Sequence, residues 1–192
     1  VGSLMGVNAD AGGYRSIDVT ELWFELALLQ ERLIIRAGKI DLSGGFECAG
    51  CPVAFDCNAF ANDETAQFLA GPLVNNPTIP FPESGLGMAV YVQPTDWWYA
   101  AAGGADAQAD ARKTGFSTAF DDEAYYVGLF ETGVTPSLKT AGGPLQGAYR
   151  VGLWYDPQPK DRLDGNGTER DDLGLYTSMD QMLLRENEES DQ

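Results

Sequence analysis

Apolar and polar residues alternate along most of this chain with a period of two. The segment Thr20–Leu28 shows the pattern clearly, because its even positions are apolar and its odd positions include Glu21, Trp23 and Glu25. Successive side chains of a β-strand point to opposite faces of a sheet, so such a segment has one apolar and one polar face. Amphipathic helical stretches are almost absent, and the chain is therefore predicted to be all-β.

Seven segments carry this strand pattern and pair as antiparallel neighbours. They are Thr20–Leu28, Arg32–Ile40, Leu86–Gln93, Trp97–Gly104, Glu123–Thr135, Gly147–Asp156 and Asp172–Leu184. The predicted strands are roughly 8–13 residues long, whereas strands of soluble sheets have a mode of about 5–6 residues. A tilted strand that crosses a membrane needs about 9–11 residues. Strand length therefore favours a transmembrane β-barrel.

The connections between these strands alternate strictly between short and long. The short turns lie near Gln30, Pro94 and Gly142, and the long loops span 41–85, 105–122 and 157–171. An antiparallel up-and-down barrel in an outer membrane has short turns at one rim and long loops at the other. We therefore expect residues 1–192 to be part of a single outer-membrane β-barrel domain. The chain opens at Val1 within the pattern, which we interpret as an internal piece of a longer protein or as a mature protein that is incompletely covered.

The first long loop has local structure of its own. The segment Asn62–Leu69 has the acidic side chains of Asp63 and Glu64 in its first turn and Gly71 near its end, and this order predicts a short helix. A proline-rich, extended arm follows over Asn75–Pro82. A structured loop of this length is uncommon without a function.

Charge and composition exclude several classes of function. The chain has 12 Lys and Arg against 29 Asp and Glu, a formal net charge of −17, whereas a surface that binds nucleic acid must be cationic. It contains no histidine, which removes every catalytic arrangement built on an imidazole. No two carboxylates stand out as a glycosidase pair. We therefore expect a protein that is not an enzyme and does not bind nucleic acid.

Two groups of residues raise the question of a disulfide or a bound metal. Cys48, Cys51 and Cys57 lie close together in the sequence and are compatible with a local disulfide, with free thiols or with part of a zinc site. The 161–172 loop brings several carboxylates together, which suggests calcium, although the spacing does not match an EF-hand. Apart from that calcium hypothesis, no metal or cofactor is expected.

Eight segments, in chain order, carry a family resemblance. They are Gly38–Leu42, Phe60–Leu69, Asn75–Pro82, Gln93–Tyr99, Ala105–Asp110, Gly147–Trp154, Arg170–Tyr176 and Asp180–Leu183. Together they resemble the bacterial carbohydrate-selective porins of the OprB family, from about residue 15 onward. The cysteine-containing stretch Glu47–Cys57 departs from the commonest form of that family.

The resemblance implies an outer-membrane β-barrel that admits small sugars by passive diffusion. It implies a location in the bacterial outer membrane, with small carbohydrates and outer-membrane lipid as partners and a homo-oligomer as a hypothesis for the assembly. About seven strands with open edges cannot span a membrane alone, because lipid leaves unpaired backbone groups unsatisfied. The chain is therefore expected to be a fragment of a larger barrel.

A sugar pore needs aromatic faces for the C–H surface of the sugar ring and polar groups that replace water at its hydroxyls. With the polar strand faces turned inward, the residues expected to line the pore and contact sugar are Trp23, Glu25, Arg36, Arg150, Trp154 and Asp180. The helix with Asn62, Asp63 and Glu64 is expected either to form a constriction inside the pore or to cap the outer rim.

The alternative function is a soluble β-sandwich carbohydrate-binding module. In that hypothesis Trp97, Trp98 and Trp154 form a platform for sugar. It accounts for the aromatic residues but not for the alternating loop lengths.

Overall fold

The computed structural model describes Val19 and residues 21–42, 84–109, 116–162 and 164–184. These residues form ten strands and a 3₁₀ turn: β1 Leu22–Leu28, β2 Leu33–Ile40, β3 Gly85–Thr95, β4 Trp98–Asp106, the 3₁₀ turn Ser117–Phe120, β5 Tyr126–Val134, β6 Ser137–Thr140, β7 Gly143–Asp156, β8 Lys160–Asp161, β9 Thr168–Glu169 and β10 Asp172–Gln181. The seven long strands lie where the alternating pattern predicted strands. The predicted loop helix and the three cysteines lie outside the described residues.

All the strand pairs are antiparallel, and strands close in sequence lie side by side. The order across the main sheet is β1-β2-β3-β4-β5-β7-β10, and β6 pairs with the start of β7. Strands β8 and β9 form a separate two-stranded ladder. The predicted all-β antiparallel architecture is confirmed. Within the described residues the sheet is not closed, and β1 and β10 form its two edges.

The connections divide the sheet into two ends. Tight turns join β1 to β2, β3 to β4, and the β5–β6 segment to β7, and we call this the short-turn end. The connections that follow β2, β4 and β7 are long and lie at the opposite end, which we call the long-loop end. Leu29, Gln30 and Glu31 all have positive φ, between 56° and 66°, so the first turn reverses the chain through the left-handed region without a glycine.

The β6–β7 hairpin is an element that the sequence did not predict. Its residues were expected to form a simple turn through Pro136 and Gly142, but β6 pairs with the first four residues of β7 and extends the hairpin past the sheet. All four β6 residues are exposed, and Leu138 is 50% exposed. The segment has no alternating apolar pattern, because neither of its faces packs on the rest of the sheet.

Candidate functional site

The register of the ladders sorts the side chains onto two faces. Directly opposed residues of antiparallel strands project on the same side of a sheet. One such row crosses all seven long strands through Glu25, Arg36, Ala89, Gly103, Leu129, Trp154 and Gly174. We call the face that carries this row the inner face, because it holds the buried core, and the opposite one the outer face.

The inner face is covered by a continuous cluster of buried side chains. Its members are Ile40, Leu42, Ala89, Tyr91, Tyr99, Ala101, Ala105, Val127, Leu129, Trp154 and Tyr176. Three charged residues, Glu131, Arg150 and Asp156, are buried on the same face. Small side chains and aromatic rings dominate this surface, whereas the core of a soluble sandwich is built mainly from large aliphatic residues.

The outer face is largely apolar, and it carries exposed side chains on every long strand except β2. Its exposed side chains include Leu22, Phe24, Leu26, Leu28, Met88, Val92, Phe130, Val134, Val151, Leu153, Leu173, Leu175 and Met179. Phe24 is 69% exposed and Leu175 is 75% exposed. Soluble monomers rarely expose contiguous apolar patches beyond a few hundred Å², roughly. A face of this kind needs an apolar environment, which lipid provides.

Aromatic residues stand at both ends of the outer face, and each has its polar atom bonded within the protein. At the short-turn end, Trp98 Nε1 donates to Thr132 Oγ1 at 2.9 Å and the Tyr149 hydroxyl donates to Gln181 Oε1 at 2.7 Å. At the long-loop end the Tyr126 hydroxyl donates to the carbonyl of Ala119, and the Tyr155 hydroxyl to Asp171. Such paired aromatic rows are typical of the two interfaces of a membrane barrel.

Three of the predicted site residues form one cluster on β1 and β2. Arg36 donates to Glu25 Oε2 from both Nε, at 3.1 Å, and Nη2, at 2.8 Å. Its guanidinium lies 4.4 Å from the centroid of the Trp23 ring. Trp23 is 41% exposed, and the ion pair is also partly open to solvent. The cluster therefore presents an oriented charge pair beside an accessible indole.

A second inner-face cluster is centred on Glu131, which sequence reasoning missed. Glu131 is fully buried and accepts hydrogen bonds from the Tyr99 hydroxyl, at 2.6 Å, and the Tyr176 hydroxyl, at 2.9 Å. Trp154 stacks on Tyr176 with ring centroids 6.3 Å apart and an interplanar angle of 19°. The sequence signal that could have indicated Glu131 is its position, because this carboxylate alternates with Leu129 and Gly133 on one face of the predicted strand.

Arg150 and Trp154 belong to this second cluster rather than to the first. Both lie on the inner face and are buried, at 9% and 6% exposure. Arg150 is close enough to interact electrostatically with Tyr99.

Asp180 pairs with Ala148 in the β7–β10 ladder. The predicted constriction residues Asn62, Asp63 and Glu64 lie outside the described residues.

The chain turns inward where the first long loop begins. Leu42, two residues after β2, is 1% exposed and belongs to the inner-face cluster. A Cβ atom placed on Gly103 would lie 2.6 Å from Leu42 Cδ1 and 3.0 Å from Ala89 Cβ. Gly103, Ala89 and Arg36 lie in one row across the sheet. This row crosses β2 four residues before the strand ends at Ile40. Leu42 therefore packs back over the inner face instead of continuing past the rim.

The base of the second long loop is anchored to the rim by Asp106. Thr118 Oγ1 donates to Asp106 Oδ2 at 2.5 Å, and the backbone N–H of Gln108 donates to Oδ1 at 2.9 Å. Gln158, which follows β7, donates from Nε2 to the carbonyl of Ala107 at 2.7 Å. The second and third long connections are therefore tied to each other at the long-loop end.

Ion pairs organise the acidic third connection, 157–171. Lys160 Nζ lies 3.1 Å from Asp156 Oδ2 and 2.6 Å from Asp172 Oδ2. Partial burial alone would lower the pKa of Lys160, but these two hydrogen-bonded carboxylates raise the pKa above its ordinary value. The backbone N–H of Asn166 and the Arg162 guanidinium lower the pKa of Asp164. The calcium hypothesis for the 161–172 loop stays a prediction.

The soluble-module alternative required a shared aromatic platform. Trp98 lies on the outer face and Trp154 on the inner face, with Trp97 in the turn between β3 and β4. These side chains cannot present one surface to a sugar.

Among the described residues no helix has the length and apolarity needed to cross a membrane.

Comparison with known proteins identifies the family. The family model described as carbohydrate-selective porin, OprB family, matches residues 1–192, the whole chain. A search of curated proteins and a search of solved structures each returned no match. Porin families are typically non-enzymatic. The family match and the exposed apolar face thus support sugar diffusion across the outer membrane and not a soluble binding module, and this chain belongs to the OprB family of carbohydrate-selective porins.

Proposed function

We propose that this chain forms about seven strands of a closed outer-membrane barrel, with its outer face in lipid and its inner face around a water-filled sugar pathway. The observation that carries the proposal is the separation of faces. The long strands turn apolar side chains to the outer face, whereas the Glu25–Arg36 ion pair and the buried Glu131 lie on the inner face. Further strands that close the barrel would pair the backbone N–H and C=O groups at the free edges of β1 and β10. Lipid offers these groups no hydrogen-bond partners.

The cluster of Trp23, Glu25 and Arg36 is the proposed sugar contact on this wall. The exposed indole offers an apolar surface for the C–H face of a pyranose, and the adjacent ion pair offers donors and acceptors for its hydroxyls. Two hydrogen bonds from Arg36 to one oxygen of Glu25 fix the orientation of both side chains. The hydroxyls of a bound sugar would therefore replace their water partners with protein groups that are already oriented.

Replacing Trp23 by Ala is expected to weaken maltose binding in the channel several-fold without lowering ion conductance. The indole supplies contact area to the sugar, and its loss removes that area without adding bulk. The measurement is the maltose concentration that half-blocks single-channel current in a planar bilayer.

Trp97→Ala is the matched control, because Trp97 is 58% exposed in the turn between β3 and β4 and has no role in the proposed contact. Equal maltose affinity in Trp23→Ala and the unmodified protein would exclude Trp23 as a sugar contact.

Arg150, Trp154 and Asp180 form the proposed second part of the pathway. The buried positions of Arg150 and Trp154 make them part of the wall itself, where they set its polarity and shape. We assign direct contact with sugar first to the more exposed cluster on β1 and β2.

The first long loop is the proposed constriction, with Asn62, Asp63 and Glu64 at its narrowest part. The inward path of Leu42 over Gly103 supports this choice over a cap on the outer rim. The chain therefore enters this loop from the inner side of the wall.

Deleting residues 58–69 from the complete protein is therefore expected to raise single-channel conductance, because a segment that narrows the pore is removed. Deletion of 165–167 from the exposed third connection is the control, and it should leave conductance unchanged. Unaltered conductance after the 58–69 deletion would eliminate the constriction role.

The direct test of the function is sugar flux into liposomes that contain the complete protein. Swelling is expected with glucose and maltose and should fall steeply for longer oligosaccharides. Failure of both small sugars to enter would overturn the proposal. The homo-oligomer stays a prediction, which chemical cross-linking in native outer membranes tests.

A further inference from the structure

Three aromatic residues of the inner face stand directly opposite glycines on neighbouring strands. Tyr99 of β4 pairs with Gly133 of β5, Trp154 of β7 pairs with Gly174 of β10, and Tyr176 of β10 pairs with Gly152 of β7. The register shows that each one faces a large ring.

The rings occupy the space that a side chain at each glycine would fill. A Cβ atom on Gly174 would lie 1.9 Å from Trp154 Cζ2, and one on Gly152 would lie 2.1 Å from Tyr176 Cζ. At Gly133 the distance to Tyr99 Cε1 would be 2.7 Å. None of these glycines has a positive φ, so space rather than backbone conformation requires glycine here. The rings therefore lie flat over the strands.

Hydrogen bonds and stacking hold the rings in this flat orientation. Tyr176 starts on β10, passes over Gly152 on β7 and bonds to Glu131 on β5, so one side chain spans three strands. Tyr99 bonds to the other oxygen of the same carboxylate. Trp154 stacks on Tyr176. Glu131 thus fixes two rings directly and the third through stacking.

We propose that the missing side chains at Gly133, Gly152 and Gly174 let these rings lie flat against the wall. This arrangement sets the width of the sugar pathway along β4, β5, β7 and β10. Glu131 is the positioning residue of the arrangement. A ring lying flat on the backbone narrows the lumen less than a ring that is lifted away from the backbone and projects into the lumen. The inference rests on the proposed function, because it assigns these residues a role in the passage of sugar.

The key experiment replaces Gly152 by Ala in the complete protein. To reach ordinary van der Waals contact with the new methyl group, the Tyr176 ring must move by about 1.3 Å or more. We expect single-channel conductance and maltose flux into liposomes to fall at least about twofold. Gly128→Ala is the control on the outer face of β5, where the nearest atom to a new Cβ is 4.0 Å away, and it should behave as the unmodified protein.

A second substitution separates a change in pore width from general damage. Gly152→Ala combined with Tyr176→Ala removes the displaced ring, so conductance should return to at least the original value. Tyr176→Ala alone should raise conductance. Tyr176→Ala keeps the inference testable even when Gly152→Ala does not fold. Folding of each variant is checked by the heat-modifiable mobility of the barrel on a gel.

The inference is overturned by a folded Gly152→Ala protein with unchanged conductance and maltose flux. It is also overturned when the double variant conducts as poorly as the single one, or when Tyr176→Ala alone leaves conductance unaltered. These results differ from failure of the proposed function, in which the unmodified protein itself passes no sugar.

Discussion

Arginine in place of Leu153 is expected to destabilise the folded protein in a bilayer by about 2–4 kcal/mol, the cost of a cation on the lipid face near the membrane midplane. Leu153 lies on the outer face within β7, and its direct neighbours across the ladders are Phe130 and Leu175. All three are exposed apolar side chains, so no protein group is available to pair with the new charge. The measurement is denaturant unfolding of the complete protein in lipid vesicles.

The same substitution at Leu138 provides the control. Leu138 is also an exposed leucine, but it lies on β6, in the hairpin that extends beyond the sheet. There the arginine reaches water, and the expected cost is about 0–1 kcal/mol. Equal destabilisation by Leu153→Arg and Leu138→Arg would show that the outer face is not in lipid.

Removing the Glu131 carboxylate is expected to have the second large effect. Glu131→Ala leaves the hydroxyls of Tyr99 and Tyr176 without their acceptor inside a buried cluster. A hydrogen bond to a charged group contributes about 1.5–3 kcal/mol, and two are lost at once. We expect the free energy of unfolding to fall by about 3 kcal/mol or more, measured by the same vesicle assay.

Two further variants distinguish the loss of hydrogen bonds from other effects. Glu131→Gln keeps the size of the side chain and one acceptor oxygen, so its cost should be clearly smaller than that of Glu131→Ala. Glu123→Ala removes an exposed carboxylate and should change stability by no more than about 0.5 kcal/mol. A Glu131→Ala protein as stable as the Glu123→Ala protein would contradict the proposed role of the network.

The alternation of apolar and polar positions was sufficient to predict the strands and their two faces. Leu22, Phe24 and Leu175 are exposed on the outer face, while Glu25 and Arg36 are on the inner face and paired with each other. The pattern is readable because successive side chains of a strand point to opposite faces, so a strand with one apolar face keeps a period of two.

The inner-face network could not be predicted, because it depends on which residues meet across strands. Glu131, Tyr99 and Tyr176 are far apart in the sequence, and only the register of four strands brings them together. The same is true of Gly152, whose requirement for a missing side chain is visible only with the Tyr176 ring above it. The β6 hairpin was missed for another reason: its residues pack on neither face and carry no periodic signal.

Fluorescence quenching by lipids with brominated acyl chains tests the assignment of the two faces most directly. It uses two variants of the complete protein that each keep one tryptophan of this segment, Trp98 or Trp154, with the others replaced by phenylalanine. Trp98, on the outer face, should be strongly quenched in bilayers brominated near the headgroup, while Trp154 should keep its emission. Quenching of Trp154 as strong as that of Trp98, or no quenching of either, would mean that lipid does not cover the outer face.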